Sequence, residues 1–141
     1  MLRGLTTVNF FADDLAEARA WYTELLGIEP YFVREVEGVP AYIEFRIGDH
    51  QAELGFINRR FAPPGSGTGD GGGSLTYWAV DDVDAAYARL LEMGAQAHLD
   101  PREHGPGFVT ASVVDPFGNV LGVMFNEHYL SVVAGHVAAA G

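Results

Sequence analysis

The chain repeats itself, and that limits it to folds built from two copies of one unit. Asp13-Asp14 precedes a helical pattern with Leu15, Ala18, Tyr22 and Leu25 on one face, closed by Gly27. Asp81-Asp82 precedes a second such pattern, with Val83, Ala86, Leu90 and Met93 on one face and Gly94 at its end. The two halves align at a spacing of about 68: Ala18 falls on Ala86, Ala20 on Ala88, Glu24 on Glu92, and Phe56-Ile57-Asn58 on Met124-Phe125-Asn126. Agreement in both the order of elements and their punctuation is the mark of an internal duplication.

Each half reads as one strand, one helix and three strands. Leu5 to Phe11 is β-branched and aromatic, as strands are. Asp14 then serves as N-cap, with Glu17 at capping-box spacing, and Gly27 as the C-terminal glycine. Trp21 and Tyr22 are expected to pack against the sheet. Tyr31 to Glu37, Ala41 to Ile47 and Gln51 to Asn58 are the next strands. Ala41, Ile43, Phe45 and Ile47 share one face of the middle strand, and Tyr42, Glu44 and Arg46 the other. Turns are expected at Gly38-Val39-Pro40 and Gly48-Asp49-His50. In the second half, Leu75 to Val80 and the short Gln96 to Leu99 are strands, and Asp100 to Gly107 is a loop. The strands Phe108 to Val114 and Val120 to Phe125 flank the turn Asp115-Pro116-Phe117-Gly118-Asn119.

The fold class is therefore α+β, in one domain of two βαβββ modules, residues 4–58 and 73–126. A glycine-rich linker, 62–74, joins them, and 127–141 is a C-terminal tail. That tail is apolar (LSVVAGHVAAA over 130–140), which suits either docking on a partner chain or fraying. The glycines of Pro63 to Ser74 do not make a phosphate-binding loop, because no G-x-x-x-x-G-K-[ST] and no helix start follow.

Composition narrows the function classes. Hydrophobic content of 48% and charge of 19% are globular values. Without cysteine there is no disulfide, thiolate zinc site or thiol nucleophile. Eight basic residues against 19 acidic give a net charge of −11, which repels a phosphate backbone, so no nucleic-acid partner is expected. No run nears the ~20 apolar residues of a membrane helix, and no signal peptide opens the chain. No membrane partner is expected, and the expected location is cytoplasmic.

The duplicated βαβββ order resembles the vicinal oxygen chelate superfamily, which holds glyoxalase I, extradiol dioxygenases and bleomycin-resistance proteins. Two stretches carry the resemblance. Val8 to Gly27 (VNFFADDLAEARAWYTELLG) is close to that family's opening V-x-D-L-x-x-(S/A)-x-x-F/W-Y-x-x-L-L-G. Val113 to Val123 (VVDPFGNVLGV) is close to its closing D-P-x-G-N/Y pattern. The resemblance implies two curled sheets forming a cup around a small ligand. It also implies metal ligands on the first and last strand of each module. Counted from the punctuation, those four positions hold Thr7, Glu53, Leu75 and Gly122. Only Glu53 is a useful ligand, so no metal cofactor is expected; a divalent ion needs several oxygen or nitrogen donors.

If these four residues face the cup, period 2 brings Asn9, Phe11, Gln51, Gly55, Tyr77, Val120 and Met124 with them. Glu53 is the candidate catalytic carboxylate, set against a structural pairing with Arg46, Arg59 or Arg60. His50 falls near a turn. His104, in the loop over 100–107, is a candidate lid residue, and His128 and Tyr129 stand past the last strand. The leading expectation is a metal-free binding protein for an aromatic or amphipathic small molecule, acting as a homodimer. The alternatives are a superfamily enzyme (lyase, isomerase or dioxygenase type) with Glu53 as base or as one metal ligand, and a protein–protein module with a filled cup.

Overall fold

A computed structural model describes Met1, residues 3–63 and residues 75–140. The linker expected over 62–74, and with it the loop excluded above as a phosphate site, lies outside the described residues from 64 onward. The chain divides into two compact units, Met1–Gly71 and Gly72–Gly141.

The first unit contains β1 (Thr7–Ala12), α1 (Leu15–Leu26), β2 (Phe32–Val36), β3 (Val39–Ile47) and β4 (Ala52–Asn58), followed by a 3-10 turn at Arg59–Phe61. The strand order is β1-β4-β3-β2. β1 runs parallel to β4, and the other pairs are antiparallel. Asp14 caps α1 by accepting from the backbone N–H of Ala16 and Glu17 at 2.9 and 3.1 Å. Gly27 ends the helix at φ 70°, where a side chain would be strained. One sheet face packs against α1. Leu15, Ala18 and Tyr22 meet Phe10, Ile43, Phe45, Leu54 and Phe56, all buried. Tyr22, as expected, is core, its ring 4.4 Å from that of Phe56. Each such aromatic contributes roughly 1.5–3 kcal/mol by leaving water. The β2–β3 turn falls at Glu37-Gly38, both at positive φ, rather than at Gly38-Val39-Pro40. Val39 and Pro40 belong to β3, where Pro40 sits beside a register shift that tolerates its missing N–H.

The second unit repeats the pattern as β5 (Tyr77–Ala79), α2 (Val83–Glu92), β6 (Gln96–Gly105), β7 (Phe108–Val114) and β8 (Val120–Asn126), ordered β5-β8-β7-β6. Asp82 caps α2 through the N–H of Ala85. Val83 and Leu90 bury against Ala111, Val113, Leu121 and Val123. Each unit is thus a four-stranded mixed sheet with a helix on one face. One expectation changes here. Asp100 to Gly107 is not a loop: β6 runs ten residues as an edge strand and takes its proline and charges at three register shifts against β7. The tail, for which the sequence left docking or fraying open, is a third helix, α3 (Glu127–Ala140), whose first amides, those of His128 and Tyr129, donate to Asn126 Oδ1. Among the described residues no helix is long and apolar enough to cross a membrane.

Candidate functional site

The far face of the first sheet, turned away from α1, gathers the polar residues. Parallel pairing sets Thr7 opposite Glu53, Asn9 opposite Gly55 and Phe11 opposite Ile57. Antiparallel pairing sets Arg46 opposite Glu53, Glu44 opposite Gly55 and Tyr42 opposite Ile57. Phe32 of β2 lies opposite Glu44.

Glu53 has a partner on each oxygen. Its Oε2 accepts from Thr7 Oγ1 at 2.5 Å and its Oε1 from Arg46 Nη2 at 3.1 Å. Of the three arginines considered as partners, Arg46 is the one engaged. Arg59 instead pairs with Asp13. Arg46 is itself held from a second side by the Tyr31 ring, 4.8 Å away. Glu44 is placed differently. It is only 9% exposed, and its Oε1 accepts from Tyr42 Oη at 2.5 Å. Burial, and then the Glu53 carboxylate, push Glu44 above the ordinary carboxyl range, against a downward pull from Arg46. The same two causes, in the same order, raise the Tyr42 phenol. Gly55 makes the cluster possible, because a Cβ there would run into Tyr42 Oη and Asn9 Oδ1.

At the end of this face lies a cavity of about 500 Å³ lined by Leu5, Thr6, Arg46, His50, Gln51, Ala52 and Glu53. Gln51 reaches it from a turn rather than from a strand, held at φ 53° with its side-chain amide donating to Gly48 O. His50 lines it from the same turn.

The second unit's far face is more apolar. Tyr77 pairs with Gly122, Ala79 with Met124, and Val114 with Val120. This register corrects the position-by-position alignment. Tyr77 opposite Gly122 corresponds to Asn9 opposite Gly55, so Gly122 is the counterpart of Gly55, and Val120, two residues earlier, holds the place of Glu53. The Tyr77 ring fills the space a Gly122 side chain would take, its Cδ1 2.6 Å from where a Cβ would stand. Leu75 precedes β5 and is exposed. His104 is not on a lid. It stands on β6 with Nε2 2.7 Å from Thr110 Oγ1. His98, which the sequence did not single out, repeats this arrangement with Ser112 Oγ at 2.8 Å. Both histidines sit at register shifts of β6, where an extra residue turns its side chain toward β7. His128 and Tyr129 begin α3, where their backbone is committed to its cap.

The four metal positions therefore hold Thr7, Glu53, Leu75 and Val120. One carboxylate, already shared between a hydroxyl and a guanidinium, does not fit a divalent ion. Among the described residues no three His, Cys, Asp or Glu side chains cluster as such an ion needs.

Comparison with known proteins agrees with the fold. The sequence model of the Glyoxalase/Bleomycin resistance protein/Dioxygenase superfamily matches residues 4–123. No curated protein is a significant sequence match. Among solved structures, a member of that superfamily from Sphaerobacter thermophilus superposes with a TM-score of 0.68 at 20% identity, over 87% of this chain and 97% of that one. A glyoxalase-related enzyme from Fulvimarina pelagi gives 0.67 at 20% identity, over 89% and 90%. Lactoylglutathione lyase from Agrobacterium tumefaciens gives 0.65 at 19% identity, over 92% and 98%. At such identities these structures speak for the fold alone. With its sequence matched over 120 of 141 residues and its two βαβββ units in place, the chain belongs to the Glyoxalase/Bleomycin resistance protein/Dioxygenase superfamily.

Proposed function

We propose that this chain binds a small organic molecule, aromatic or amphipathic, on the far face of its first sheet, without a metal ion, and works as a homodimer. The observation that carries this reading is the fate of Glu53. The one ligand-type side chain among the four metal positions already has a partner on each oxygen, Thr7 on one and Arg46 on the other, and an ion there would compete with both. Glu53 lines a cavity large enough for a small ligand, and Phe11, Phe32 and Tyr42 stand at other register positions of the same sheet. An enzyme using Glu53 as base is the weaker alternative, because a substrate proton there competes with the Thr7 hydroxyl or the Arg46 guanidinium.

The test is metal content by mass spectrometry, on protein purified without chelator or affinity tag, followed by a thermal-shift screen of planar aromatic compounds. The expected result is well under one equivalent of divalent metal and a melting temperature raised by a subset of the aromatics. A ligand at about 100 times its Kd adds ~2.7 kcal/mol. One equivalent of metal per chain would overturn the reading.

A further inference from the structure

Glu44 and Glu53 share one sheet face but only Glu53 is satisfied. The Glu44 side chain is nine-tenths buried, one of its oxygens holds the Tyr42 hydroxyl, and no other described residue bonds to it. Its second oxygen is not sealed in. Among the described residues, the fully enclosed side-chain atoms lacking a partner are Thr23 Oγ1 and Trp78 Nε1. Glu44 Oε2 is thus an unpaired acceptor that can still be reached. The groups facing it are few. On β3 they are Tyr42 and Arg46, the latter engaged by Glu53. On β4 there is Glu53. On β2 there are the half-exposed Phe32 opposite it and Arg34 opposite Tyr42, and Arg34 makes no ion pair. On β1 there are Thr7 and Asn9, which do not titrate. The carboxylate form of Glu44 therefore meets desolvation and a like charge, with its nearest cation already taken.

We propose that Glu44 is the recognition carboxyl of the far face, and that its free oxygen accepts the N–H of a positively charged nitrogen, an ammonium or amidinium, on a planar apolar body. This rests on reading the far face as a small-molecule site and names the ligand class for it. A cation answers both difficulties of Glu44 at once: it replaces lost hydration with a charge-assisted hydrogen bond and offsets the field of Glu53. A neutral donor answers only the first. Phe32 and Tyr42, their rings 6.2 Å apart, offer aromatic surface beside that oxygen, which favours a cation on a flat body. A cation binds the ionised form, so at any pH low enough to leave Glu44 protonated it displaces a proton that burial and Glu53 hold more tightly than usual. Affinity therefore rises with pH until Glu44 is ionised without help.

Benzamidine is the probe, with benzamide as its neutral counterpart. Binding is measured by calorimetry from about pH 5 to about pH 8, alongside the Glu44 carboxyl carbon resonance and the amide resonances of Thr7, Asn9 and Gly55. The expected result is benzamidine binding that tightens with pH, at least tenfold weaker binding of benzamide, and, in a pH titration of the carboxyl carbon, a Glu44 midpoint that falls when benzamidine is bound. Glu44→Gln should weaken benzamidine at least tenfold and flatten the pH dependence. Should that variant not fold, the carbon titration in the unaltered protein decides. Benzamide binding equal to benzamidine, or a Glu44 titration midpoint that benzamidine does not move, overturns the role of Glu44 while leaving the far face as the site. Neither compound moving the three amides overturns the site reading itself.

Discussion

Glu44 and Glu53 show how register decides what a residue does. Both are glutamates on β strands, and their cross-strand neighbours set them apart. Glu53 faces Arg46 and Thr7, while Glu44 faces Gly55 and Phe32. The sequence showed that Tyr42, Glu44 and Arg46 share a face, by period 2. It did not show that this is the face of Glu53, because pairing between strands has no local signature. The difference has a measurable consequence. The folded chain holds the Glu44 proton more tightly than the unfolded chain, whose carboxyl stays near the ordinary value of 4.5. Folded protein thus binds more protons in the window above that value, and the Glu44 contribution to stability falls as pH rises through it. Below the window the contribution is fully present. Urea unfolding of the wild type and Glu44→Gln across the window should show their stability difference drifting in favour of the variant as pH rises, by at most ~1.4 kcal/mol per pH unit. A pH-independent difference would place Glu44 in an ordinary solvated environment.

Turns and edge strands were legible to different degrees. The turn Asp115 to Asn119 was read correctly because its chemistry is local. Asp115, buried, accepts from the N–H of Phe117 at 2.9 Å and of Asn119 at 2.7 Å, and from the Asn119 side-chain amide at 2.9 Å. Proline starts the turn and Gly118 takes φ 92°. Asp115→Ala leaves those three donors without their acceptor and should cost roughly 2–3 kcal/mol, read as a lowered urea midpoint with unchanged slope. A loss below ~0.5 kcal/mol would mean that the turn is held by proline and glycine alone. β6 was misread because Pro101, Gly105 and a run of charges look like a loop. Bulges on an edge strand accept such residues, and they turn His98 and His104 onto β7. The tail was ambiguous because alanine and valine fit several states. Asn126 settles it by capping α3.

At the scale of the molecule, the duplication was plain from the acidic caps, yet a single spacing does not fit it. Caps recur 68 residues apart, while the last strands recur at 67, Gly55 to Gly122. Counting from the Asp115 turn put Gly122 in the place that Val120 holds, two residues off, and hid the Asn9–Gly55 and Tyr77–Gly122 correspondence. What two modules leave exposed bears on assembly. Phe32 and Val33 on the edge strand β2, Ile28 and Tyr31 in the segment before it, and Leu130 and Val132 on α3 are exposed apolar side chains. Surface of this kind is ordinarily covered, and a stable interface hides ~800 Å² per partner. Against association stands the charge of −11 on each chain, a repulsion that salt screens within a Debye length of ~8 Å at physiological strength. Light scattering at micromolar concentration should therefore give about twice the 15.2 kDa chain mass, with the dimer fraction growing as salt rises. Apolar contact gains from salt, whereas an interface held by ion pairs would weaken, so the sign of the salt effect separates the two. Val33→Glu places another charge on the β2 edge and should raise the dimer dissociation constant at least tenfold. A monomer at every salt concentration would remove the homodimer from the proposal, and a Val33→Glu dimer of unchanged affinity would move the interface away from β2.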